Sequence, residues 1–286
     1  MKNFKISGGM LVFLGALFWS LNAPLVKFIN VDALLTAGCR ATIAGVVLLP
    51  FLRPKKLNWG PWMLVYLAAY CGLSVGIVLA LRATSSAIAI GMQYASIVWL
   101  FLVNTYLTKK LDKKRLVPVI MISVGVILFM MTGLEGSTMV GNLIALTESI
   151  SFAFMTVGVK KAGKDNVLGL TCLANLFTAF FVFAFLPPKV TDVLAFSGQD
   201  WLIIFLLGVV NVAFGYAFYN TGVARTTPQK AAVIALWEMI LAPTWTDIFL
   251  HEYPSLMVIV GFVIIIAGIF VDAKVDAPKE ERKLAA

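Results

Sequence analysis

Residues 8–27 read GGMLVFLGALFWSLNAPLVK, a run of 20 residues whose only charge is its last lysine. A helix needs about 20 mostly apolar residues to cross the hydrocarbon core of a bilayer. The run is therefore predicted to span a membrane. Two lysines precede it, as in a signal peptide, but no small-residue cleavage site follows it, so we expect a retained first span.

The rest of the chain repeats this pattern. Of its 286 residues, 60% are hydrophobic and 13% are charged, whereas soluble domains have about 45–50% apolar and about 25% charged residues. The sequence predicts an all-α polytopic membrane protein with ten transmembrane helices. The predicted spans are 8–28, 33–52, 61–81, 86–107, 116–134, 140–160, 167–187, 200–222, 230–250 and 255–272.

The positive charges of the loops predict the orientation. An even number of spans puts both termini on one face, and 19 of the 23 lysines and arginines fall on that face, against three on the other. Loops rich in lysine and arginine stay in the cytoplasm. We therefore expect a multi-pass protein of the cytoplasmic (inner) cell membrane with both termini cytoplasmic. The net charge of +9 then reflects topology within a lipid bilayer, and no nucleic-acid partner is expected.

The second half of the chain resembles the first. Residues 8–27 align with 140–159, and LRATSSAIAIGMQYAS (81–96) aligns with ARTTPQKAAVIALWEM (224–239), which pairs Arg82 with Arg225. Each copy holds five helices, so the two copies must be inverted relative to each other. Inverted repeats with a site between them are a recurring plan of secondary transporters. We predict two five-helix repeats, 1–135 and 136–273, and a charged cytoplasmic tail, 274–286.

Three motifs resemble the ten-helix EamA-like family of the drug/metabolite transporter superfamily. They are GALFWSLNAPLVK (15–27), CRATIAGVVLL (39–49) and the long ending WEMILAPTWTDIFLHEYPSLMVIVGFVIIIAGIFV (237–271). In the ending, Glu238 and Glu252 are followed by Gly261 and Gly268, as in the family. The first repeat departs from the pattern, with Lys109 where the loop glutamate would fall.

The resemblance implies a solute carrier whose cavity is lined by helices 1, 3, 4, 6, 8 and 9. Members of the family move amino acids, nucleobases, amines and other small metabolites, often outward. An exporter that acts as a monomer or a homodimer is the corresponding expectation.

Three charges fall deep within predicted spans, away from the span ends, where each charge is a functional hypothesis by default. Glu238 lies about ten residues into helix 9, roughly 15 Å from the face at which that helix begins. Glu148 and Arg40 lie roughly 10–12 Å below the opposite face. For Arg40 and Glu148 a structural pair or a water-facing anchor is the competing interpretation, and Arg40 is predicted to be a structural or coupling charge.

An aromatic ring beside a carboxylate suits an ammonium ligand, and Trp237 precedes Glu238 in the sequence. An amino acid or a cationic amine is therefore the predicted substrate. Packing or an interfacial belt is the competing interpretation for the aromatic residues. The predicted binding residues are Trp19, Asn22, Tyr70, Gln93, Tyr94, Glu148, Ser151, Asn211, Tyr216, Tyr219, Trp237 and Glu238.

Two alternatives belong to other classes of protein. GLSVG (72–76) matches the nucleophile-elbow pattern, which would make Ser74 the nucleophile of an intramembrane hydrolase, but it also matches the small-residue spacing of closely packed membrane helices. A channel for small solutes is the second alternative. The sequence has no phosphate loop, dinucleotide fingerprint or metal-ligand cluster, so no cofactor, no metal and no catalysis are expected. A proton could be coupled through Glu148 or Glu238, or the carrier could be a facilitator.

Overall fold

The protein is described by a computed structural model, which covers residues 6–132, 139–163, 165–186, 190–226 and 228–284. Within these residues ten helical spans are long and apolar enough to cross a membrane, which confirms the predicted number. They are α1 (Gly8–Phe28), α2 (Ala33–Phe51), α3 (Pro61–Ala83), α4 (Ser86–Thr108), α5 (Lys113–Met131), α6 (Met139–Ala162), α7 (Val167–Phe185), α8 (Gly198–Arg225), α9 (Pro228–Leu250) and α10 (Leu256–Leu284). We call the face at which α1 begins and α10 ends the terminal face, and the other the opposite face.

The observed bounds differ from the predicted ones by a few residues at most helices and by more at the end of α10. Helix α8 extends beyond the predicted 200–222 at both ends. Helix α10 continues through the predicted tail to Leu284, and the predicted boundary between the repeats, at 135/136, lies outside the described residues.

Short polar side chains cap the N-termini of several helices. Asp32 accepts a hydrogen bond from the Leu35 amide at 3.0 Å, and Asn166 accepts one from Gly169 at 2.9 Å. Ser197 and Asp200 form a reciprocal capping box at the start of α8. Because the first amides of a helix have no partner within the helix, these caps fix where the spans begin in the loops.

Helix α1 is broken in the membrane between Gly8–Ser20 and Asn22–Phe28. Pro24 has no N–H to donate to the carbonyl of Ser20, and a proline ring also clashes with that carbonyl in a regular helix. The Asn211 side chain donates to the carbonyl oxygens of Phe18 (2.9 Å) and Trp19 (3.2 Å) just before the break. The break therefore has its own polar partner on α8.

That partner lies in an irregular part of α8. Residues Leu207–Phe214 form a π-helical segment between two α-helical segments. Such widened turns are rare in proteins, and those that occur often lie at functional sites. Here the widened turn carries Asn211 to the broken part of α1.

The main helix contacts join the two halves of the chain: α1 packs on α8, α3 on α6, α2 on α7 and α5 on α10. Two of these contacts are equivalent when Arg82 is aligned with Arg225. A Cβ at Gly15 would lie 2.8 Å from the Tyr219 backbone nitrogen, and a Cβ at Gly76, which aligns with Tyr219, would lie 3.2 Å from the Glu148 side chain. Both glycines thus allow a close approach between a helix of the first half and a helix of the second.

Gly72 and Ser74 give a first testable prediction. A Cβ at Gly72 would lie 2.5 Å from the Ser151 oxygen on α6, so Gly72→Leu is expected to separate α3 from α6 and to reduce the yield of folded protein severely. Ser74→Ala should leave transport near normal, because Ser74 is fully buried and the chain's only histidine, His251, lies at the opposite-face end of α9. Yield by size-exclusion chromatography and transport rate are the measurements. Labelling of Ser74 by a fluorophosphonate would revive the hydrolase interpretation.

Candidate functional site

A closed pocket lies in the middle of the helix bundle. Its walls come from α1, α2, α3, α4, α6, α8 and α9, and its volume is about 20 Å³, room for about one water molecule. The lining residues are Trp19, Asn22, Arg40, Leu73, Ile77, Gln93, Phe152, Asn211, Tyr216 and Glu238. Seven of these ten side chains are polar or carry a polar aromatic group. We call this space the central pocket.

Arg40 is the cation of the central pocket, although it stands on α2, a helix outside the expected cavity set. It is 1% exposed. Its Nη1 donates to Asn22 Oδ1 at 2.8 Å and its Nη2 to the Ser74 carbonyl at 2.5 Å, while Nε has no acceptor among the described residues. Nη2 also donates to the Ser74 hydroxyl at 3.5 Å, so all three guanidinium bonds go to neutral acceptors. Among the described residues no direct ion pair cancels the positive charge of Arg40.

Glu148 is buried beside this cation. It is 2% exposed, and neither carboxylate oxygen has a hydrogen-bond donor within the described part of the chain. Its charge interacts with those of Arg40 and Glu238, but its nitrogen–oxygen distances to Arg40 exceed those of a salt bridge. A carboxylate without donors in a membrane interior is costly, which makes Glu148 a group that gains from a proton or a cation.

Glu238 lines the central pocket from α9 and is 5% exposed. Gln93 lies on the opposite wall, at the end of the first segment of α4. Helix α4 breaks after Gln93, and Tyr94 there donates from its hydroxyl to the Ala235 carbonyl of α9 at 2.7 Å. The break in α4 is thereby attached to the helix that carries Glu238.

Aromatic rings form one wall of the central pocket. The Trp19 ring centroid lies 4.6 Å from that of Tyr216 and 4.3 Å from that of Tyr219, and Tyr70 lies 4.6 Å from Tyr216. The Trp19 Nε1–H has no acceptor among the described residues. Gly215 makes room for this indole, since a Cβ there would lie 2.8 Å from Nε1. The wall offers ring faces and one unused donor.

Trp237 does not lie beside the Glu238 carboxylate in the cavity, where the sequence predicted it. Its side chain is 48% exposed and meets Phe13 edge to face at 6.0 Å. Neighbouring residues of a helix point about 100° apart, so turning Glu238 inward turns Trp237 outward. Trp19 and Tyr216, from other helices, supply the rings near Glu238 instead.

Five other predicted residues are not among those that line the central pocket. Glu148 lies beside Arg40 but outside the lining. Ser151 packs against Gly72 in the contact between α3 and α6. Tyr70 is buried behind Tyr216, where its hydroxyl accepts from Asn175 at 2.8 Å. Tyr94 and Tyr219 line a neighbouring space toward the terminal face.

That neighbouring space, which we call the vestibule, has a volume of about 100 Å³. Arg115, where α5 begins, and Asp272, near the end of the α10 span, place its mouth at the terminal face. Its lining residues are Tyr94, Ser96, Ile97, Leu100, Arg115, Phe152, Thr156, Tyr219, Ala235 and Asp272. Phe152 belongs to both linings, so its ring stands between the vestibule and the central pocket.

An ion pair joins three loops at the opposite face. Lys27 Nζ lies 2.7 Å from Glu252 Oε2, and it also donates to the Thr84 carbonyl at 3.3 Å. Glu252 accepts from the Ser86 amide at 2.7 Å and from the Ser86 hydroxyl at 3.1 Å. We call Lys27, Ser86 and Glu252 the latch, because it ties the ends of α1 and α9 to the start of α4. These polar contacts join the two halves of the chain at the opposite face.

Sequence reasoning did not assign a role to the latch, to Phe152 or to Asp272. Glu252 was visible as a motif residue, but its partners could not be predicted because they are far away in the sequence. Ser86 is 166 positions away, and Lys27 is farther. Asp272 is the last residue of the tenth predicted span, and a charge at the end of a span gives no signal of a function. Phe152 had no signal, since one phenylalanine among 21 is not distinguishable by composition.

Ten helices of membrane-spanning length around a buried polar pocket are the plan of a multi-pass membrane protein. A model of the EamA-like transporter family matches residues 6–131 and 139–271, so the chain belongs to this family of the drug/metabolite transporter superfamily. It is 26% identical over 289 residues to an uncharacterized transporter, YvbV, of Bacillus subtilis (strain 168), covering 94% of this chain and 92% of that protein. A solved crystal structure shares the fold at a TM-score of 0.64 and 18% identity, covering 92% of this chain and 96% of the other.

Proposed function

We propose that the protein is a secondary transporter that carries a small amine-bearing metabolite, an amino acid or a cationic amine, by alternating access to the central pocket. The observation that carries the proposal is that Glu238 and Arg40 line the same closed pocket. A carboxylate, a guanidinium and the ring faces of Trp19 and Tyr216 suit an ammonium group, with or without a carboxylate on the same molecule.

The balance of the buried charges in and beside the central pocket, with Arg40 and Glu238 in its lining and Glu148 next to it, favours a positively charged cargo. Arg40 brings one positive charge, and Glu148 and Glu238 bring two negative charges when both are ionised, which leaves a net charge of −1. An unbalanced charge in a membrane interior is costly. A cationic amine balances it alone, whereas a zwitterionic amino acid balances it only with one added proton, for which Glu148 is the candidate carrier.

Alternating access is supported by the unequal closure of the two faces. The latch joins the two halves at the opposite face, and the vestibule reaches inward from the terminal face as far as Phe152. We propose that the terminal face is cytoplasmic and that the structure represents a state closed to the outside. Transport then requires the latch to open and the vestibule to close.

The test is a metabolite screen by counterflow in proteoliposomes that contain the purified protein. We expect accelerated exchange for amines or amino acids that saturates with concentration. Exchange of only amine-free anions would contradict the proposed substrate class. Linear flux without counterflow would indicate the channel alternative.

The orientation gives a second testable prediction. We expect the C-terminus to be cytoplasmic, because 19 of the 23 basic residues are predicted on the same face as the termini. Of the reporters fused after Ala286, only one that works in the cytoplasm should therefore be active. The measurement compares alkaline phosphatase, which folds outside, with a fluorescent protein that folds inside. Phosphatase activity at this position would contradict the orientation.

The latch gives a third prediction. Glu252→Gln removes the ion pair with Lys27 and is expected to raise, about fivefold, the rate at which an impermeant thiol reagent modifies Ile77→Cys from the opposite face. The estimate corresponds to about 1 kcal/mol, the upper value for a partly exposed pair. Asp247→Asn, an acid near the same face without a latch contact, is the control. An unchanged rate in Glu252→Gln would show that the latch does not hold the closed state.

A further inference from the structure

The vestibule contains a carboxylate that the central pocket does not use. Asp272 is 8% exposed and lines the vestibule with Arg115. Among the described residues, its Oδ1 has no hydrogen-bond donor. The Arg115 Nε lies 3.9 Å from this oxygen, beyond hydrogen-bond distance.

Asp112 is a second acid near Arg115 among the described residues. The Arg115 Nε is also 3.9 Å from Asp112 Oδ2, which is more exposed than Asp272. A cation held at 3.9 Å by two carboxylates neutralises neither of them by direct bonding. Oδ1 of Asp272 therefore has a loose ion pair with Arg115 but no hydrogen bond. A carboxylate placed in this way, where water access is restricted, attracts a small cation that reaches it.

The other walls suit an organic cation. The Tyr94 ring is fixed by its hydroxyl, which donates to the Ala235 carbonyl at 2.7 Å, and the Tyr219 ring packs on Trp19 at 4.3 Å. Ser96 and Thr156 add hydroxyl groups to the lining. The space, at about 100 Å³ against about 20 Å³ for the central pocket, is the larger of the two, and only Phe152 lines both.

We propose that the vestibule is a second binding site for the ammonium group of the cargo, in which Asp272 supplies the anionic group and Arg115 weakens the site by competing for it. The identity of the cargo rests on the proposed function, but the vestibule's preference for cations does not. An ammonium ion that enters from the terminal face meets Asp272 first and passes Phe152 to reach Glu238. Weak binding at this place raises the local concentration of cargo without holding it.

The test measures the charge selectivity of the vestibule without knowledge of the substrate. Thr156→Cys places a thiol on its wall in the full-length, detergent-purified protein. Two methanethiosulfonate reagents of similar size, one with a trimethylammonium group and one with a sulfonate group, modify this thiol, and peptide mass spectrometry separates position 156 from the native cysteines. The readout is the ratio of the cationic to the anionic rate.

We expect opposite effects from the two partners. Asp272→Asn should lower the ratio about fivefold, and Arg115→Gln should raise it by a similar factor, as loss of one charge at several ångströms predicts. Asp165→Asn, an exposed acid on the same face outside the vestibule, should leave it unchanged. If Asp272 and Arg115 only stabilise the fold, both variants will change the two rates together and the ratio will stay constant, which overturns the proposal. If Asp272→Asn fails to fold, the expected rise of the rate ratio in Arg115→Gln still tests the proposal.

A second readout separates this proposal from the proposed function. With an amine from the counterflow screen, Asp272→Asn should raise the KM for entry from the terminal face several-fold and change the maximal rate little. If no amine is transported, the proposed function fails while the rate ratio at position 156 still tests the vestibule. If amines are transported but the ratio does not respond to Asp272→Asn, the vestibule proposal alone fails.

Discussion

Glu238→Gln is expected to remove at least about nine-tenths of transport while the protein still inserts and folds. The amide keeps the size and the hydrogen-bonding capacity of the side chain and removes its charge. A lipid-facing charge at the centre of a span costs roughly 2.5–3.5 kcal/mol on insertion scales, and the structure instead turns Glu238 into the central pocket. Loss of a charge-assisted contact to the cargo, at about 1.5–3 kcal/mol, corresponds to a roughly 10- to 150-fold loss of affinity.

The measurement is initial counterflow rate per folded protein, with the thermal unfolding midpoint as a check on folding. Trp237→Phe is the matched control, because it changes the adjacent residue on the outward face of the same helix and should stay within about twofold of wild type. Pro243, inside α9, leaves the Met239 carbonyl without its helical donor. A wild-type rate and affinity for Glu238→Gln would make Glu238 a structural residue.

Arg40→Lys is the second large effect, expected to reduce transport at least about tenfold and to lower the unfolding temperature. The guanidinium reaches Asn22 on α1 and the Ser74 carbonyl on α3 at once. A lysine ammonium is a point charge on a shorter reach and cannot reproduce the planar fork. Removing one partner from a buried charged network costs about 3–5 kcal/mol of stability. Because lysine keeps the charge, Arg40→Lys should lose only part of that stability.

Arg82→Lys is the control for this experiment. Arg82 also donates to backbone carbonyls, those of Ile29 and Val31, but at the exposed opposite face, where water replaces lost bonds. Its loss should change the transport rate less than threefold. Equal and small effects of Arg40→Lys and Arg82→Lys would show that Arg40 contributes nothing specific to the central pocket.

The sequence predicted the spans well because the bilayer imposes a single length and polarity on every helix. It did not predict where the spans are irregular. Pro24 was a visible signal for the break in α1, whereas the break in α4 falls at Tyr94 and Ala95, which have no special backbone preference. The π-helical segment of α8 is likewise set by tertiary contact through Asn211.

The candidate site was predicted in part. An acid that must avoid lipid points inward, so Glu238 could be assigned to a cavity from its depth alone. The aromatic rings near Glu238 could not be assigned from the sequence. Sequence adjacency suggested Trp237, but helix geometry turns Trp237 away from the pocket. Arg40 lies in the central pocket because its long side chain extends from α2 between α1 and α3, a reach that helix assignment alone does not reveal. The latch joins residues from both halves and required the assembled structure.

The most direct test of the central claim compares an amine cargo with its deaminated analogue, in wild type and in Glu238→Gln, by counterflow under identical conditions. If Glu238 binds the ammonium group, wild type should prefer the amine by at least about tenfold, and Glu238→Gln should lose that preference so that the two compounds exchange at similar rates. A preference for the amine that survives in Glu238→Gln at its wild-type value would contradict the account.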